Sequence, residues 1–84
     1  MKVFKYSLHL TERQTIEMPA NANILHVKEQ NGNLCIWAEV DTHDTNGSRT
    51  FRIVGTGHDV PSCRAKYIGT CFMGSFVWHI YEEI

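Results

Sequence analysis

The chain has 84 residues, with 8 Lys and Arg against 9 Asp and Glu for a formal charge of -1, and it is 43% apolar, 11% aromatic and 20% charged. A chain this short carries one modest core, which excludes two independently folding domains, and its aromatic content argues against disorder. Basic residues are outnumbered, which argues against nonspecific nucleic-acid binding, and no apolar run approaches the roughly 20 residues of a membrane helix.

The first segment alternates, with Phe4, Tyr6, Leu8 and Leu10 on one face and Lys5, Ser7 and His9 on the other, which predicts a half-buried strand. A secretory signal would be continuously apolar there, so the expectation is a soluble, cytoplasmic chain. Thr11 to Gln14 has the spacing of a helix capping box, but Ile16 and Met18 alternate and run into Pro19, favouring a loop and then a short strand.

The sharpest signal follows. Asn31-Gly32 lies between two β-rich runs and predicts a type I′ hairpin pairing Gln30 with Asn33, Lys28 with Cys35, Val27 with Ile36 and His26 with Trp37. Leu25, Val27, Leu34, Ile36, Ala38 and Val40 then form the core face. His26, Lys28, Cys35, Trp37 and Glu39 form the other.

Asp41 to Ser48 has turn chemistry and no large apolar group, predicting a flexible surface loop. Arg49 to Val54 reads as a strand with Phe51 and Ile53 inward, interrupted by Gly55-Thr56-Gly57-His58-Asp59. A connection through Pro61 leads into a strand from Tyr67 to Phe72, a turn around Gly74-Ser75, and a last strand from Phe76 to Glu82. Both faces of that last strand are bulky, which places it centrally or at an interface. The whole is an all-β single domain over residues 1–84, an antiparallel meander of six or seven strands arranged as a barrel or a sandwich.

The strings ILHVKEQNGNLCIWAEVD, RTFRIVGTGH, YIGT and FVWHIYE, with the KVFKY opening and the TIEMP segment, resemble a family of small phage and prophage proteins of unknown function. The resemblance spans nearly the whole chain and is weakest over Asp41 to Ser48. It implies viral origin and action inside an infected bacterium, and it carries over no catalytic or ligand residue. By analogy with small phage proteins, it implies action by binding.

Several constellations bear on chemistry. Gly55, Thr56, Gly57 and His58 form a loop whose backbone N–H groups can cradle an anion, with Arg52 the nearest basic helper; a plain turn or bulge is the competing reading. The spacing is neither a P-loop nor a dinucleotide fingerprint. His58, Asp59 and Cys63, with His43, are the most compact candidate metal ligands, yet match no established zinc spacing, so no metal or cofactor is expected. Three cysteines without a CxxC predict free thiols. Cys71 and His79 are expected on opposite faces, which argues against a nucleophile and base pair. Trp37 and His26, and Trp78 and Tyr81 on the last strand, are interface candidates, with core packing of the tryptophans as the alternative.

The expectation is therefore a non-enzymatic phage-encoded binding protein that acts on a host or phage protein or sequesters a small nucleotide-like ligand. The alternative is a structural or assembly protein acting through homo-oligomerisation or docking to virion proteins. No base, nucleophile and orienting group stand at a spacing that suggests an enzyme.

Overall fold

Asn31 and Gly32 both adopt positive φ, 52° and 83°, the backbone that a type I′ turn requires. The computed structural model describes residues 1–84, and around this turn the register is the one the sequence predicts, from Gln30 opposite Asn33 to His26 opposite Trp37. Seven strands form: β1 Lys2–Leu8, β2 Arg13–Pro19, β3 Asn23–Gln30, β4 Asn33–Val40, β5 Asn46–Gly55, β6 Ala65–Met73 and β7 Phe76–Glu83.

They build two antiparallel sheets, β1-β4-β3 and β2-β5-β7-β6. The sheets face each other across one core. Leu8, Val27, Leu34, Ile36 and Ala38 come from the first, and Met18, Phe51, Ile53, Cys71 and Ile80 from the second. No ladder joins the sheets, so of the two expected arrangements the fold is a sandwich and not a closed barrel. Its two sides differ. The edges of β3 and β6 approach so closely that a Cβ on Gly69 would lie 3.3 Å from Val27 Cβ, while β1 and β2 stay apart.

Two bulges mark the close side, between Ile24 and His26 in β3 and between Tyr67 and Gly69 in β6. The first corrects the expected core face. A bulge adds a residue and shifts the alternation, so Ile24 lies opposite Ala38 and Leu25 is 50% exposed. Cys35 does lie on the outer face of its sheet, yet it is buried. Ser7 sits beside its thiol at 3.9 Å, and Lys5 reaches across to Gln30 Oε1 at 2.9 Å.

The expected loop from Asp41 to Ser48 is shorter than its composition suggests, because Asn46, Gly47 and Ser48 already belong to β5, opposite Pro19, Met18 and Glu17. Tertiary pairing with β2 overrides weak β propensity here. The remaining residues are pinned by side chains: Asp41 Oδ1 accepts the His43 N–H at 2.9 Å, and Asp44 Oδ2 accepts the Asn21 N–H at 3.0 Å.

β7 is central in its sheet, between β5 and β6, as its two bulky faces predict. Arg49 shares the inward face of β5 with Phe51 and forms an ion pair with Glu82 of β7. Its Nη1 also donates to the carbonyls of Ala22 (2.9 Å) and Ala20 (3.3 Å), so it ties the β2–β3 turn to the end of the sandwich.

Candidate functional site

β2 begins only at Arg13, opposite Arg52, while β5 runs on to Gly55. The last bond between them is from the Ile53 N–H to the Glu12 carbonyl, at 3.2 Å. Beyond that point β5 keeps β7 on one side and has an open edge on the other. The gap is a cleft of about 280 Å³, roofed by the β1–β2 corner (Leu10, Thr11, Glu12) and the loop bearing His58, Asp59 and Pro61, with Ile53, Gly55 and Trp78 at its base.

Gly55 explains the geometry of the base. A Cβ there would lie 3.2 Å from His58 Nδ1 and 3.3 Å from Trp78 Cζ3, so the two rings close over the glycine and a side chain there would push them back by a few tenths of an ångström. The His58 N–H donates to the Gly55 carbonyl at 3.0 Å, and Gly57 takes φ of 91° to turn the chain between them. Trp78 is partly buried and packs on the core beneath, with Phe76 stacked on it at 5.6 Å between ring centroids.

Arg52 lines the cleft, but its donors are directed elsewhere. Nη1 lies 3.1 Å from Glu83 Oε2 and 3.7 Å from Cys63 Sγ, and Arg13 grips the same carboxylate through Nε at 2.9 Å. The hydrogen bonds from Arg13 and Arg52 hold the Glu83 carboxyl below its ordinary range. The ionisable side chains of the cleft without a partner in the chain are Glu12, Asp59 and His58.

Of the five residues expected to hold a ligand, the structure gathers Arg52, Gly55 and His58 around the cleft, with Gly57 at the crest of the loop. Thr56 turns to the outer face of the sheet. There its hydroxyl lies 2.8 Å from His79 Nε2, His79 Nδ1 lies 2.9 Å from Thr70 Oγ1, and Tyr67 OH lies 2.5 Å from the same Thr70 oxygen.

The four interface candidates do not form one patch. Trp37 and His26 lie together on the outer face of the three-stranded sheet, ring centroids 6.3 Å apart, so Trp37 does not fill the core. Tyr81 lies on the outer face of the other sheet, edge-on to Tyr67 at 5.6 Å. Trp78 belongs to the cleft.

Cys71 pairs with Trp78 and Thr70 with His79, so the thiol and the imidazole point to opposite faces. Burial pushes the Cys71 thiol pKa up, which makes it a poor nucleophile. His43, His58, Asp59 and Cys63 do not converge, and nowhere do three His, Cys, Asp or Glu side chains gather as a metal site. Sequence reasoning missed the roof of the cleft, Leu10, Glu12 and Pro61, because nothing local reports that the β1–β2 corner meets the loop after β5.

Fold and cleft together define a seven-stranded antiparallel β-sandwich whose edge strand β2 does not reach the end of β5 and leaves a mixed apolar and polar gap at the sheet edge. Over residues 1–84 the chain matches the family described as domain of unknown function DUF7352, and it belongs to that family. No curated protein and no solved structure matches it.

Proposed function

We propose that this is a non-enzymatic, phage-encoded binding protein that acts in the cytoplasm of the infected bacterium by engaging a host protein through the cleft beside Gly55 and His58. The observation that carries this reading is the engagement of Arg52 by Glu83. A nucleotide-like ligand needs free cationic donors for its phosphates. With Arg52 engaged, His58 is the remaining basic group of the cleft, facing the carboxylates of Glu12 and Asp59. A base of Ile53, Gly55 and Trp78 under a polar rim suits a protein segment better, since interfaces centre on aromatic anchors within polar surroundings.

The test is native mass spectrometry of tagged protein purified from bacterial cells, for the wild type and for a His58→Ala/Asp59→Asn variant. A stable complex with one protein, lost in the variant, is the expected outcome. A nucleotide-sized mass on the wild type, released on denaturation, overturns it in favour of sequestration.

An assembly role has one observation on its side. Phe72 and Phe76 flank the β6–β7 turn at 76% and 62% exposure, an apolar tip that self-association would cover. A concentration-dependent dimer disrupted by Phe72→Ser would favour that role.

A further inference from the structure

The bonding of β5 alternates. Thr56 donates to Val77 of β7, whereas Ile53 donates to Glu12 on the opposite side, so odd-numbered residues at this end of β5 point their backbone groups away from β7. Gly55 is one of them. With β2 beginning only at Arg13, opposite Arg52, neither the Ile53 carbonyl nor the Gly55 N–H has a hydrogen-bond partner in the chain, and Gly55 is buried at the base of the cleft. Buried backbone groups without partners are uncommon, because each costs the hydrogen bond it gave up to water. Here an acceptor and a donor, two residues apart on an extended strand, face an open gap.

We infer that the cleft takes an extended segment of a partner protein, which adds to the free edge of β5 by main-chain hydrogen bonds and places a Lys or Arg side chain among Glu12, Asp59 and Trp78. The inference rests on the reading of the cleft as a protein-binding site and names what it recognises. One residue of a strand running parallel to β5 supplies both missing bonds: its N–H donates to the Ile53 carbonyl and its carbonyl accepts from Gly55. Its own side chain lies on the outer face with Val54, and the residue after it turns its side chain inward to the Trp78 side. The side-chain preference follows from charge. Glu12 and Asp59 line the cleft without partners, and the neighbouring indole favours a cation over its face.

The probe is the peptide acetyl-Val-Arg-Val-amide, titrated into the ¹⁵N-labelled full chain and followed by NMR, with amide exchange read at Gly55. The expected result is saturable shifts at the Trp78 indole and His58 together with slowed exchange of the Gly55 N–H. Methylation of the backbone nitrogen of the first valine, which removes the donor to Ile53 and leaves the arginine one residue on, facing Trp78, weakens binding by roughly tenfold. Citrulline in place of arginine, or Glu12→Gln with Asp59→Asn in the protein, weakens it by a similar factor. Shifts at Trp78 and His58 with no change at Gly55, or equal binding of the N-methyl peptide, overturn strand addition and leave the cleft as a protein site. Equal binding of the citrulline peptide overturns the preference for a cation. No shift with any peptide, against shifts with adenosine monophosphate, overturns both this inference and the function it rests on.

Discussion

Arg49 Nη2 lies 3.0 Å from Glu82 Oε1, and the pair sits on the inward face of its sheet beside Phe51. Arg49→Ala leaves Glu82 without its partner and also strips donors from the carbonyls of Ala22 and Ala20. The expected loss is about 2 kcal/mol, less than the roughly 3–5 kcal/mol of breaking a fully buried pair, because both side chains keep some contact with water. Urea unfolding measures it. The double change Arg49→Met/Glu82→Leu is expected to recover much of that loss, because it removes both charges together.

Gly55→Ala is expected to destabilise the fold by about 1 kcal/mol by pushing back the His58 and Trp78 rings. Gly57→Ala meets no neighbouring atom, so its cost is backbone strain alone, about 1 kcal/mol at φ of 91°. The two are told apart by NMR. The first moves the Trp78 indole resonance, and the second leaves it in place.

Glu83 gives the protein a share of its acid sensitivity. Its carboxyl pKa is lowered in the folded state by hydrogen bonds from Arg13 and Arg52, so the folded state favours the ionised form. The stabilisation is fully present above the unfolded carboxylate pKa, about 4.3, and is lost as pH falls through the lowered folded value. Comparing the melting temperature of wild type and Glu83→Gln from about pH 6 to about pH 2 isolates this contribution. The wild-type advantage is expected to be flat at the upper end and to vanish at the lower. An advantage that grows on acidification would contradict the ion-pair account.

The thiols should separate by accessibility. Cys63 is exposed, whereas Cys35 and Cys71 are buried, so a maleimide reagent is expected to add once to the native protein and three times after unfolding. Intact mass reads the count directly.

Local chemistry carried the hairpin. Asn31-Gly32 specifies its own turn, and a two-residue loop leaves the register no freedom, so His26 and Trp37 could be set side by side from the sequence alone. The same logic placed Cys71 opposite Trp78. The bulge at Leu25 was not legible, because nothing in NILHV distinguishes a regular strand from one with an inserted residue. The start of β5 at Asn46 was hidden in the same way, since Asn-Gly-Ser reads as loop until β2 lies beside it. The cleft was half legible. Its glycine and histidine announced a special backbone, but the ion pair that engages Arg52 joins residues far apart in the chain, and alternation reports faces rather than neighbours.

The distribution of strands between the sheets sets an order of assembly. All three strands of the β1-β4-β3 sheet are present once Val40 has been synthesised, whereas β2, made early, waits for β5 before it has any partner. The first sheet is a self-sufficient platform with one apolar side uncovered. The second is a late cover, laid on from the carboxy-terminal half with β2 as its outermost slat. Long-range pairings of this kind slow folding. Truncation after β4 would therefore leave a sheet with a bare oily side and a stranded β2, a species built to stick to its neighbours rather than a smaller working domain.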